Sequence, residues 1–237
     1  MHSVLRGSLL LIVCSPFAVR PQSLKPLPTE FVNCVTNQRG VATASNKQRT
    51  PLVKSSVGNI AYGEVTAETS RGGSCQNNTT VYTAGSNGSF RPVLQQGVER
   101  IPDGSIYDGN GIAYLSWSPS GRNLLAVLFQ WTYGTDAGGN YKYFVIGKED
   151  NSANLIFPER AIWEKFKPPC NALISFNGWV DNQRIRLEVR PFVATDEEGK
   201  RDPTPACIKE TTMFSFDIVT KAASRASPMG NRNNSPR

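Results

Sequence analysis

Histidine is all but absent from this 237-residue chain, the one copy being His2. It lies in a stretch that reads as a removable leader, so the working protein is expected to carry no imidazole. That excludes a Ser-His-Asp or Cys-His catalytic unit, a histidine general base and a zinc site built with imidazole ligands. Long hydrophobic runs are missing as well: Leu9 to Val13 falls far short of the roughly 20 residues that span a bilayer, and no later segment is long enough. Neither a Ser-x-x-Lys pair, a Gly-x-Ser-x-Gly elbow nor a phosphate-binding glycine motif before a helix occurs. What these absences leave open is carboxylate chemistry, oxygen-ligand metals, or binding without chemistry.

What is present begins with the leader. His2 and Arg6 precede the apolar run, and Cys14, Ser15, Pro16, Phe17 and Ala18 follow it, the layout of a secretory signal peptide over residues 1–20. A lipid anchor at Cys14 is disfavoured, because bulky Val13 stands where such signals place a small residue. The chain is therefore expected to be exported, to the periplasm or the extracellular space, without a transmembrane segment.

The formal charge of +7 belongs to the chain's ends. Arg6 and Arg20 lie in the leader region, and Lys221, Arg225, Arg232 and Arg237 lie in an acid-free C-terminal stretch, leaving 20 basic against 19 acidic residues between 21 and 220. A nucleic-acid groove needs clustered cations on one face, so no nucleic-acid partner is expected. Residues 223–237, rich in Ser, Asn, Pro and Gly, read as a disordered basic tail. Cys34, Cys75, Cys170 and Cys207 remain after the leader, an even number in an exported chain, and so read as disulfides.

Self-similarity says more than motifs. Leu115-Ser-Trp-Ser-Pro-Ser-Gly-Arg-Asn-Leu-Leu-Ala-Val127 is a turn feeding an apolar strand. Sixty-two residues on, Trp179-Val-Asp-Asn-Gln-Arg-Ile-Arg-Leu-Glu-Val189 repeats the Trp, the turn, the Arg and the closing Val, and sixty-two residues earlier stands Val65. Each copy is followed by a polar loop and a second β-rich run: Thr79 to Ala84, Tyr141 to Gly147 and Thr211 to Thr220. One short helix is expected around Pro158 to Phe166. The domain reading is an N-terminal extension over 21–51 and a repeat-containing β domain over 52–222, with residues 90–115 able to hide part of a fourth unit.

Trp117-Ser-Pro-Ser-Gly-Arg-Asn-Leu-Leu-Ala-Val127 resembles the strand entry of the TolB-type WD-like β-propeller repeat, and Tyr143-Phe-Val-Ile146 and Phe214-Ser-Phe-Asp-Ile218 resemble the strand that follows it. The resemblance implies one blade of antiparallel strands per repeat, and proteins that bind partners more often than catalyse on the blades. The expected fold class is all-β, with repeated antiparallel blades in a partial or small propeller-like array; a β-sandwich is the alternative. Applying one rule to two repeats pairs Cys34 with Cys75 and Cys170 with Cys207.

The run Phe129-Gln-Trp131-Thr-Tyr133 alternates, so its aromatics are expected on one strand face, with Tyr141 and Tyr143 returning opposite them. Such a strip is either a packing surface between sheets or a platform for sugar rings. Asp103, Asp108 and Asp136, in glycine-rich turns, are the only calcium candidates; without a closing Glu they read more simply as turn formers. No cofactor is expected. The function expected is a non-catalytic protein-interaction or scaffold module, with a carbohydrate-binding or glycan-active protein using Phe129, Trp131 and Tyr133 as the alternative.

Overall fold

The computed structural model describes residues 25–226 apart from 40, 70–72, 86, 102–103, 105, 136–138 and 194–203. A small hairpin, β1 (Val35–Thr36) and β2 (Ala42–Ala44), precedes the first large sheet. That sheet contains β3 (Asn46–Arg49), β4 (Val53–Lys54), β5 (Ile60–Thr69), β6 (Cys75–Ala84) and β7 (Phe90–Gln96). Both β3 and β4 pair with β5, so they act as one edge strand interrupted at Thr50 and Pro51. A two-stranded connector, β8 (Glu99–Arg100) and β9 (Ile106–Tyr107), leads to the second sheet: β10 (Gly109–Trp117), β11 (Asn123–Trp131), β12 (Asn140–Gly147) and β13 (Ala153–Ile156). Helix α1 (Pro158–Trp163) then precedes the third, built from β14 (Ala172–Trp179), β15 (Arg184–Pro191), β16 (Thr212–Asp217) and β17 (Ala223–Arg225). Each sheet is an antiparallel meander in which sequence neighbours are spatial neighbours. The fold is all-β, built on three successive antiparallel sheets of four or five strands.

The burial pattern of each strand places its sheet. In β11, Leu124 to Leu128 are all buried, the continuous apolar run of a strand covered on both faces. Leu124, Ala126 and Leu128 join Ala61, Val65 and Val81 of the first sheet in one core. Leu125 and Val127 join Ile185, Leu187 and Phe214 of the third in another. By contrast β5 and β15 alternate, Val65 and Leu187 pointing inward while Glu64 and Arg186 are only half-covered. The middle sheet is thus the filling between two outer sheets, each with one polar face.

The 62-residue spacing has a structural meaning. Val65, Val127 and Val189 fall on β5, β11 and β15, the central strand after each blade's edge. Trp117 closes β10 and donates its indole N–H to the Val53 carbonyl at 3.1 Å, while Trp179 closes β14 and donates to the Ser116 carbonyl at 3.1 Å. Each repeated tryptophan therefore ties its sheet to the first edge of the preceding one. The turns match too: Asn59 Nδ2 donates to the Gly121 carbonyl (2.9 Å), and Ser120 N donates to Asn182 Oδ1 (2.7 Å). Gly121 has φ +70°, and a Cβ there would come within 2.6 Å of Val57, so both backbone and neighbour demand glycine. Trp117→Phe and Trp179→Phe keep the packed ring and lose the bond; each is expected to lower unfolding stability by about 1 kcal/mol, read from urea midpoints.

Three boundaries differ from the sequence reading. Among the described residues of 90–115 there is no additional four-stranded sheet: β7 completes the first sheet and β10 opens the second, with the β8–β9 connector between them. The first sheet starts at Asn46, within the stretch assigned to the extension, because Asn46 to Arg49 pair with Glu64 to Ala67. At the other end Ala223–Arg225 forms β17 instead of tail, since buried Ala223 packs opposite Phe216 and Asp217 Oδ1 fixes the preceding turn by accepting from Val219 and Thr220 N–H. Residues 1–24 and 227–237, and with them the leader, Cys14 and most of the basic tail, lie outside the described residues. Helix α1 starts at Pro158 as expected and ends at Trp163, turns continuing to Phe166.

Two disulfides are formed, Cys34–Cys75 and Cys170–Cys207, spanning 41 and 37 residues. Among the described residues no helix is long and apolar enough to cross a membrane.

Candidate functional site

The aromatic run at the end of β11 meets a segment far away in sequence. Ala113 is left out of the β10–β11 register, and this bulge frees backbone carbonyls that residues 27–29 take up: Leu27 N donates to the Ala113 carbonyl (2.8 Å) and Thr29 Oγ1 to the Ile112 carbonyl (3.0 Å). The segment passes directly over Gly111, where a Cβ would stand 2.1 Å from the Thr29 carbonyl oxygen. It thereby sets Phe31 against the strip, its ring 4.9 Å from Phe129 and 5.8 Å from Trp131. Phe31 remains 59% exposed.

Phe129 and Trp131 stack at 5.9 Å, and Tyr141 stands opposite Phe129 in register with rings 5.0 Å apart. Glycines make room for these rings: a Cβ at Gly109 would lie 2.2 Å from Trp131, and one at Gly139 would lie 1.9 Å from Phe129. Phe31, Phe129 and Trp131 together with the Cys34–Cys75 disulfide wall a groove of about 650 Å³, which Tyr141 does not line. Asn33, Thr36, Thr132 and Thr135 supply neutral polar groups, and the described lining carries no Asp, Glu, Lys or Arg.

The five aromatics named from the sequence do not act as one strip. β11 stops at Trp131, so Tyr133 sits in a turn, held by its N–H to Asp108 Oδ1 at 2.8 Å. Its ring packs against the first core and its hydroxyl reaches Asn77 Oδ1 (2.6 Å) and the Val32 carbonyl (3.1 Å). Burial pushes that phenol up to about 12. Tyr143 is 2% exposed and belongs to the second core, its hydroxyl donating to Glu159 Oε1 at 2.8 Å. Phe129 and Trp131 line the groove from β11, and Tyr133 lines it from the turn that follows.

Of the calcium candidates, Asp103 and Asp136 lie outside the described residues, and Asp108 holds the Tyr133 turn. The glycines after Asp108 serve close packing of Trp131 and of residues 29–30, not a ligand loop. No group of three or more His, Cys, Asp or Glu able to hold a metal occurs among the described residues.

Sequence reading missed Phe31, which lies in the stretch taken as an extension, and two acids. Glu30 is buried and accepts from the Tyr141 hydroxyl at 3.0 Å. Burial raises its carboxyl above the ordinary value of 4.5, the Tyr141 bond opposing. Burial likewise raises Glu159. A group that holds its proton more tightly when folded adds stability below its unfolded pKa, and that addition is lost as pH rises through the raised folded value. Glu30→Gln keeps an acceptor for Tyr141 without a charge. It is therefore expected to be more stable than the parent at neutral pH and equal to it well below pH 4.5, measured by urea midpoints across pH.

No protein-family model matches the chain, and no curated protein matches it. Among solved structures it aligns with the isopeptidase AtxE2 in its apo form, at 15% identity and a TM-score of 0.46, over 84% of this chain and 33% of that one. The chain thus spans about a third of that protein's length, and the likeness is too distant to carry over an activity or a residue.

Proposed function

We propose that this chain is an exported, non-catalytic interaction module of TolB-like blades, and that it holds an uncharged segment of a partner protein in the groove beside Cys34–Cys75. The observation that carries this reading is Phe31: a large ring 59% exposed, braced by Phe129 and Trp131 at the mouth of a preformed groove. A rigid aromatic anchor beside neutral hydrogen-bonding groups suits insertion of an apolar or aromatic side chain flanked by peptide amides. The described lining offers no pair of acids or bases for proton transfer, which supports binding without chemistry. Two disulfides support an oxidising compartment. The tryptophan ties between consecutive blades support the repeat reading.

The hydroxyl and amide groups of Asn33, Thr36, Thr132 and Thr135 beside Trp131 favour a second reading, a neutral glycan stacked on the ring. Selection from a displayed peptide library and screening on a glycan array, each with the parent protein and Trp131→Ala, separate the two. The proposal expects peptides with an apolar or aromatic anchor whose affinity falls at least about tenfold in the variant. Glycan hits lost in the variant would replace the protein-partner reading, and ligands insensitive to Trp131 would remove the groove from both.

A further inference from the structure

We infer that a second cavity, between β12, β13 and α1, is a binding site for a cationic group, an ammonium or guanidinium on a short aliphatic stem. The cavity holds about 360 Å³, within the span of small-ligand sites, and is separate from the groove described above. Tyr141, Tyr143, Phe157 and Trp163 line it, with Glu159 among them. Its rim is apolar and open: Leu155 is 38% exposed, Phe157 59% and Trp163 37%.

Glu159 is the group that gives the site a sign. One oxygen accepts from Tyr143, and among the described residues no hydrogen bond or ion pair reaches the second. Neither cation lining the cavity pairs with it: Lys142 is bound to Glu99, and Arg160 lies 3.5 Å from Glu164. A carboxylate drawn partly out of water without a counter-ion is unfavourable, and a ligand cation supplies that missing charge. The aromatic faces around it act in the same sense, since the negative face of a ring attracts ammonium and guanidinium groups. A purely apolar ligand would use the rings and leave the carboxylate uncompensated. The site does not depend on the groove proposal, and either can fail alone.

The test uses the whole chain and follows the Trp163 indole signal by NMR during titration with four probes: N-acetyl-lysinamide, N-acetyl-argininamide, choline and the uncharged N-acetyl-norleucinamide. At least one cationic probe is expected to shift Trp163 at least tenfold more tightly than the norleucine compound. Tighter binding of the amino-acid amides assigns a basic side chain of a partner as the source, and tighter binding of choline a free quaternary ammonium compound. Glu159→Gln is expected to weaken the best probe at least tenfold. Trp163→Ala, at a half-exposed position outside both cores, is expected to weaken it severalfold with the melting temperature kept, followed through the Phe157 signals, and decides the matter should the Glu159 variant not fold. Equal binding of the norleucine compound, no shift with any cation, or unchanged affinity in a folded variant overturns the inference.

Discussion

Replacing Cys34 and Cys75 together by serine is expected to lower unfolding stability by about 4 kcal/mol, from the loop-closure entropy that a link across 41 residues removes from the unfolded chain. The pair lies in the first core, each cysteine only 7% exposed, so two hydroxyls would also be placed among apolar neighbours. The disulfide in addition fixes the segment that carries Phe31, because Cys34 follows it by three residues and Cys75 lies on β6. Serine at both Cys170 and Cys207 removes a link of nearly the same span, 37 residues, and is expected to cost about the same in urea unfolding. Only the first pair should also abolish ligand binding at the groove, since Cys34 and Cys75 line it and the other two cysteines do not. Equal loss of binding in both double variants would mean that the first disulfide acts on global stability alone.

Asn77→Ala is expected to destabilise by about 2–4 kcal/mol, combining lost buried hydrogen bonds with a small cavity. Asn77 is fully buried on β6 between the first two sheets. Its Nδ2 donates to the Val32 carbonyl at 2.7 Å, its Oδ1 accepts from Tyr133 at 2.6 Å, and its carbonyl accepts from Asn110 Nδ2 at 3.0 Å. Asn110, equally buried, in turn accepts from Thr79. The network fastens the N-terminal segment, the Tyr133 turn and two sheets at one point. Tyr133→Phe leaves Asn77 Oδ1 without its donor and is expected to cost about 1–2 kcal/mol. The two substitutions should be less than additive, because they remove one shared bond, and a double-mutant cycle by urea unfolding measures that coupling.

How far the sequence could be read depends on the range of the interactions. The repeat was legible because a tryptophan, a glycine turn and a closing valine recur at one spacing, and each has a local or next-blade job: Trp117 and Trp179 tie blades, and Gly121 needs its positive φ. The unbroken run Leu124 to Phe129 signalled a strand, and its freedom from polar alternation is the mark of the middle sheet covered on both faces. The aromatic strip was legible only as an alternation. What separates Trp131 at the groove from Tyr143 in the core is which sheet covers each face, and that depends on packing between units. Phe31 and Glu30 gave no periodic signal, since residues 25–34 form no strand and are placed by a bulge at Ala113 and the close approach that Gly111 allows. Glu159 was read inside a short helix, and the cavity beside it exists only once β13 and α1 fold back on β12.

The central functional claim is that the groove under Phe31 is where this module meets its partner. The most direct measurement is a map of amide chemical-shift changes in the whole protein on titration with a peptide selected against it. The account predicts that the largest changes fall on both walls of the groove, at Phe31 and Asn33 on one side and at Trp131 to Thr135 on the other, and that they vanish for Trp131→Ala. Changes confined instead to the polar outer faces, around Glu64 on the first sheet or Arg186 on the third, would contradict it.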